Sequence, residues 1–178
     1  MKFKTFYKLF YKHRFEKSSG VLKLYLYIVL PIRFFLNTFF FRKKIDLDLL
    51  EHKSANLYNE NLNFLFEYFN SDKGEFFVDQ YVQPIKKNYK KIPAHGYSKF
   101  YEKFFFDIKE KQCNILELGS FYGHASASLF FYFKYSTIYS GDIYPDLFRY
   151  KSKRINNFFI DTSSEDSIKK NLLNKEIS

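Results

Sequence analysis

The chain has 178 residues, a formal net charge of +10, 25 Phe, 16 Tyr, no Trp and one cysteine. That length suits one domain with a real core. A lone cysteine excludes an intrachain disulfide and a thiolate metal cluster, and it points to a reducing, cytoplasmic compartment. The charge sits in one place: residues 1–44 hold eleven Lys or Arg against one acid, Glu16, whereas residues 45–178 hold eighteen of each sign. The globular part is therefore neutral, and no nucleic-acid partner is expected of it. The wealth of Phe and Tyr reads as compositional bias, not as a surface for stacking bases.

Residues 1–44 form a basic aromatic arm. Phe3, Phe6, Tyr7, Phe10 and Tyr11 recur at helical spacing among Lys2, Lys4, Lys8, Lys12 and Arg14, which predicts a helix with one apolar face. Ser18-Ser19-Gly20 breaks it, and a second apolar segment runs from Val21 to Phe41. Lys23, Pro31, Arg33 and Asn37 interrupt that segment, so its clean run falls well short of the ~20 apolar residues a spanning helix needs. Two readings stand side by side: N-terminal helices packed on a domain, or a helix lying in the headgroup plane of an anionic membrane, peripheral at its inner face. No small-residue cleavage site follows, so a signal peptide is not expected.

Residues 45–112 read as a helical lead-in. Asp46 to Lys53 is a polar junction. Leu57, Leu62, Leu65, Phe66 and Phe69 predict a helix over Asn56 to Phe69, stopped by Ser71-Asp72-Lys73-Gly74 with Gly74 as its C-terminal residue. Glu75 to Ala94, with two prolines and many lysines, reads as loop. His95-Gly96-Tyr97 then opens a helix over Ser98 to Ile108, capped by Ser98 and apolar along Tyr101, Phe104 and Phe105.

Residues 113–178 alternate strand and helix. The expected order is a strand at Asn114 to Leu118, a helix at His124 to Phe133 and a strand at Ser136 to Ile143. A short helix or turn at Pro145 to Arg154 follows, then a strand at Asn156 to Asp161 and a last helix at Asp166 to Leu173. Ala125, Ser126, Ala127 and Ser128 make the first of these helices small enough for close approach. Such alternation implies a parallel sheet. The expected fold class is α/β: a partial Rossmann-like arrangement of three parallel strands with flanking helices, preceded by N-terminal helices. Cys113, just before the first strand, reads as a packed or edge residue.

The chemistry concentrates where the first strand turns into its helix. Glu117, Gly119, Ser120 and Gly123 surround that turn, and Asp142 follows Gly119 by 23 residues, the length of one strand–helix–strand crossover. A helix N-terminus offers unpaired N–H groups and the positive end of a dipole. A dinucleotide site would present Gly-x-Gly-x-x-Gly; here Glu-x-Gly-x-x-x-Gly puts a carboxylate where phosphate would be repelled. A phosphate-free ligand with a cationic end, such as S-adenosylmethionine, suits it better. Glu117 would then face the amino-acid end, Asp142 the ribose hydroxyls and Asp161 the adenine amine. Taken singly, the glycines are an ordinary turn and the two Asp are strand-end caps; together they favour a cofactor site.

At these residues the chain resembles class I S-adenosylmethionine-dependent methyltransferases, and within them the macrocin O-methyltransferase group. The supporting segments are Ser71-Asp72-Lys73-Gly74, His95-Gly96-Tyr97, Ile115-Leu116-Glu117-Leu118-Gly119 with Gly123, Gly141-Asp142-Ile143 and Phe159-Ile160-Asp161, covering roughly residues 56–170. The resemblance implies methylation of a small-molecule or sugar hydroxyl, with His95 and Tyr97 on the substrate side. The family's Asp-Asp-Gly-Ser-His-like segment does not occur, so no catalytic residue and no metal ligand is assigned; a divalent metal would need that segment. The expectation is a methyltransferase truncated after its third strand, with the edge at 113–118 open to a partner chain. The alternatives are a non-catalytic membrane-associated interaction protein and, less favoured because of Glu117, a nicotinamide-dependent oxidoreductase.

Overall fold

The computed structural model describes residues 2–39, 44–78 and 90–173. The chain divides into two compact units, Met1–Lys44 and Ile45–Ser178. The end of the second apolar segment at residues 40 and 41, and most of the expected loop, at 79–89, lie outside the described residues.

In the first unit the apolar spacing yields α1 (Phe3–Phe10), α2 (Lys12–Lys17) and α3 (Gly20–Phe39). The break at Ser18–Gly20 is where the sequence put it, and Ser18 Oγ donates to the Arg14 carbonyl at 2.6 Å. Phe6, Tyr11 and Phe15 from α1, the junction and α2 are buried with Leu26 and Leu30 of α3. The Phe3 and Phe6 rings meet Phe34 at 5.1 and 5.6 Å. Leu26, Leu30 and Phe34, each four residues on, therefore form the face of α3 that receives α1 and α2. No helix among the described residues is long and apolar enough to cross a membrane.

The second unit is mixed α/β. It opens with β1 (Ile45–Asp46) and α4 (Leu47–Lys53), where the sequence suggested only a polar junction. Asp46 serves both: its Oδ1 accepts from Leu49 N at 3.1 Å, a side-chain cap for α4, and Leu47 is fully buried. The helix expected over 56–69 is split into a 3-10 turn at Ala55–Asn59 and α5 (Leu62–Tyr68). The split has a local cause and a distant one: Asn61 Oδ1 caps Phe64 N at 2.8 Å, and Glu102 Oε1, forty residues on, accepts from Leu62 N at 2.5 Å, which starts a new helix. Its stop is Asn70 (φ 59°) and not Gly74. Ser71 N reaches Phe66 O at 2.7 Å and Asn70 N reaches Glu67 O at 3.1 Å, the paired bonds of a left-handed C-terminal cap.

Two short strands, β2 (Phe76–Phe77) and β3 (Ile92–Pro93), pair antiparallel inside the segment read as loop. α6 (Ser98–Phe105) follows, and Ser98 is its first residue rather than its cap. Fully buried, Ser98 donates to Asn63 Oδ1 at 3.1 Å and ties α6 to α5. Tyr101 and Phe105 pack on the core, but Phe104 points outward with Phe100.

The sheet that places the site consists of β4 (Asn114–Leu118), β5 (Thr137–Asp142) and, beyond the short strand β6 (Tyr150–Lys151), β7 (Ile155–Phe159). All three run parallel in the order β4-β5-β7, with Leu118 beside Gly141 and Asp142 beside Phe159. Between β4 and β5 runs α7 (His124–Tyr132), buried along its whole length. It lies between the sheet and α5, and its small residues make that fit: Ser128 Oγ donates to the Leu65 carbonyl of α5 at 3.0 Å. Phe66, Phe130, Phe131 and Phe133 are fully buried here, each contributing about 1.5–3 kcal/mol of apolar burial. β6 pairs with β1 in a separate parallel ribbon. A short α8 (Glu165–Ile168) closes the described chain, ending in a π-type turn over Lys169–Leu173 where a longer helix was expected.

The C-terminal end of α7 is held by one side chain. Arg154, the residue before β7, donates to the carbonyls of Phe130, Phe133 and Ser136 at 3.1, 3.1 and 2.9 Å, and to Tyr58 Oη at 3.0 Å. Its guanidinium lies 3.8 Å from the centre of the Phe130 ring. The Phe130 and Phe133 carbonyls belong to the last turn and C-cap of α7, where a helix leaves acceptors unsatisfied, and Ser136 lies just before β5.

Candidate functional site

β4 ends at Leu118, and Gly119 takes φ +80° with open space where a Cβ would stand. Gly119 N and Ser120 N both donate to the Gly141 carbonyl, at 2.9 and 3.2 Å, which fastens the turn to β5. Phe121 follows in the left-handed region (φ 45°), a conformation worth of order 1–3 kcal/mol of strain in a bulky residue. It is held there by Asp142, whose Oδ2 accepts from Phe121 N at 2.7 Å while Oδ1 accepts from Tyr144 N at 2.7 Å. Gly123 (φ +80°) starts α7, and a Cβ there would overlap the Phe148 ring.

Glu117 points inward from β4, 7% exposed. Ser126 of α7 donates to its Oε2, and Ser140 of β5 donates to Ser126 at 2.7 Å. The chain Ser140–Ser126–Glu117 thus joins two strands and the helix. The second oxygen, Glu117 Oε1, makes no hydrogen bond; Lys73 Nζ stands 3.4 Å away, within ion-pair range but poorly aligned for a hydrogen bond. Burial pushes the Glu117 carboxyl above the usual carboxylate range, and Lys73 and Ser126 pull part of the way back.

Lys73 reaches Glu117 because two distant segments are laced together. Ala94, His95, Gly96 and Tyr97 donate their amides to the carbonyls of Glu75, Asp72, Gly74 and Lys73, at 2.8, 2.9, 2.8 and 2.9 Å. The Ser-Asp-Lys-Gly and His-Gly-Tyr segments are thereby one structure beside the end of β4. Together the elements enclose a cleft of about 60 Å³ lined by Asp72, Lys73, Glu117, Gly119, Ser120 and Phe121, among others. Ser120 is 5% exposed and its Oγ has no hydrogen-bond partner. The cleft therefore gathers an ammonium, a carboxylate oxygen without a hydrogen bond, a hydroxyl without one, and the N-terminus of a fully buried helix. Sites for whole drug-sized ligands run to about 300–1,000 Å³; this one suits a small zwitterionic head group.

Of the residues singled out in the sequence, Glu117, Gly119 and Ser120 line this cleft and Gly123 lies just beyond it. Gly123 is closed off by Phe148, so its close approach serves a ring of this chain and not a ligand. Asp142 touches the turn but does not line the cleft; both its oxygens are engaged by backbone amides, because Phe121 and Tyr144 would otherwise bury unpaired N–H groups. Asp161 lies farther out and caps its own turn, accepting from Ser163 N at 3.0 Å and Ser163 Oγ at 2.6 Å. In both Asp residues the strand-end cap accounts for the contacts seen. His95 stacks on Tyr97 (centroids 5.2 Å, 11°) and approaches Asp72 at 3.8 Å, outside the cleft and more than half exposed.

Sequence reasoning assigns no role of its own to Lys73, which stands within the Ser71-Asp72-Lys73-Gly74 segment. It also passes over His124, which is buried and shares a 2.9 Å hydrogen bond between Nδ1 and Tyr150 Oη. Burial and the Arg149 charge pull the imidazole down to about 3, so it is neutral at physiological pH and structural in effect. Among the described residues there is no group of three or more His, Cys, Asp or Glu able to hold a metal ion.

A pH experiment reports on Glu117. Its folded-state pKa is raised, so folding favours the protonated form. That contribution is present below the ordinary glutamate value of about 4.3 and is lost as pH rises through the higher folded value. Glu117→Gln should therefore remove one destabilising slope. The melting-temperature difference between variant and parent is expected to move in the variant's favour from pH 4 to pH 8; a pH-independent difference would show that Glu117 titrates normally.

No protein-family model matches this chain, and neither does any curated protein or solved structure.

Proposed function

We propose that the second unit is a Rossmann-like cofactor domain of the methyltransferase kind, holding S-adenosylmethionine by its amino-acid end in the cleft beside Gly119. One observation carries this reading: a buried carboxylate with its lysine, and a buried hydroxyl with no partner, meet at the turn between a parallel strand and its helix. The group fits in part. Lys73 and Ser120 suit its carboxylate, Glu117 and Asp72 its ammonium, and the nucleoside would lie outside over the ends of β4 and β5. When bound, that cofactor supplies an electrophilic methyl group. The residues of this chain bind and orient it, and the buried Glu117 favours a cationic partner over phosphate. By resemblance the acceptor is a hydroxyl of a small molecule or sugar.

The same reading places the protein in the cytoplasm, with Cys113 reduced and the basic first unit at the inner face of the membrane. β4 is an edge strand of the three-stranded sheet, with Leu116 and Leu118 half exposed, a surface suited to a partner strand.

Equilibrium dialysis against labelled S-adenosylmethionine tests the cofactor. Retention that S-adenosylhomocysteine displaces and NAD does not is the expected result; displacement by NAD alone would favour the oxidoreductase reading.

A further inference from the structure

The sequence left open whether the basic aromatic arm packs as helices or lies on a membrane surface; within the arm, Phe6 and Phe15 of α1 and α2 are buried with Leu26 and Leu30 of α3. The free apolar surface is on the other side of α3. Val21, Leu24, Tyr25, Ile28, Ile32 and Leu36 are between 40 and 84% exposed. Their steps of three, one, three, four and four residues put them on one face of the helix, opposite Leu26 and Leu30. A soluble surface rarely gathers so many large apolar side chains in one row without a partner for them.

We propose that this face of α3 lies in the headgroup plane of an anionic lipid bilayer and is the protein's membrane-docking surface. The choice of occupant rests on charge. Residues 1–44 carry eleven basic side chains and one acidic one, and Glu16 is itself within 3.8 Å of Lys12. A second copy of the unit would bring +10 against +10, whereas an anionic leaflet complements it. Depth follows from the helix itself: Lys23 and Arg33 stand within α3 and no described helix is apolar enough to cross, so the face enters the interface and goes no farther. The inference makes the proposed peripheral location specific and is independent of the cofactor, since vesicle binding and cofactor binding are read separately.

The test uses the full chain and sedimentation with phosphatidylcholine vesicles, with and without phosphatidylserine. Binding is expected only with phosphatidylserine, weakening as salt rises. Ile28→Glu/Ile32→Glu should reduce it about tenfold or more, with an unchanged far-ultraviolet circular dichroism spectrum because both positions are exposed. The chain has no Trp, so Ile32→Trp is a unique reporter that should shift its emission to the blue on anionic vesicles. Binding undiminished by the double Glu variant, or no shift from the Trp, would overturn the proposal. So would a dimer in solution that the double Glu variant dissociates, because a second copy would then own the face.

Discussion

Arg154→Ala is expected to destabilise the second unit by about 4 kcal/mol, the largest loss from any single polar side chain in it. The Phe130 and Phe133 carbonyls at the end of α7, the Ser136 carbonyl beyond it and the Tyr58 hydroxyl all accept from this guanidinium. A hydrogen bond to a charged group contributes about 1.5–3 kcal/mol, and each buried acceptor left alone costs about 1–3. These terms overlap, and water will reach some of the carbonyls, which is why the expected figure lies below their sum. Loss of the stacking on Phe130 adds a smaller amount. Arg154→Lys should recover little, since an ammonium has three donors on one atom and lacks the planar fork by which the two terminal nitrogens share four acceptors. Urea unfolding followed by circular dichroism measures the difference; a loss under 1 kcal/mol would mean that α7 is held at its end by something other than Arg154.

Lys73→Met is the second large effect, and it is expected to act on both stability and ligand binding. Glu117 is buried and Lys73 is the cation facing it. Breaking a buried pair by removing one partner costs about 3–5 kcal/mol. Because the lysine side chain is a quarter exposed, roughly 2–3 kcal/mol is expected at neutral pH. At pH 4 the loss should shrink, because Glu117 protonates more readily there and needs no counter-ion. If the cleft receives the carboxylate of an amino-acid head group, affinity should also fall ten- to a hundredfold, or about 1.4–2.8 kcal/mol. Lys73→Arg keeps the charge and should retain most of the stability. A Lys73→Met variant equally destabilised at pH 4 and pH 8 would show that the lysine contributes by packing alone.

The parts of this fold that the sequence made legible are those set by local pattern. β4 was legible to the residue, since Asn114 to Leu118 is a short apolar strand bounded by a glycine turn. The break before α3 was legible from Ser-Ser-Gly. What stayed hidden depends on contacts far apart in sequence. The split before α5 is reinforced by Glu102, forty residues on, through its bond to Leu62 N. Lys73 meets Glu117 only because the 72–75 and 94–97 segments pair along their backbones, a register that no local pattern announces. For the site, the turn carrying Gly119 was legible, but the direction of the Asp142 carboxylate was not. Periodicity places a residue at a strand end; whether it faces a ligand or a neighbouring amide is decided by which buried N–H groups lack a partner. α3 shows a related limit: with apolar residues almost all around it, periodicity could not say which face α1 and α2 would cover.

Calorimetric titration of S-adenosylhomocysteine into the protein and into its Ser120→Val variant is the most direct trial of the cleft. Micromolar-range binding by the parent, about −8 kcal/mol, weakened in the variant while the fold persists, is the result expected. Absence of heat in the parent, or equal affinity in both, would contradict an amino-acid head group seated between Lys73, Glu117 and Ser120.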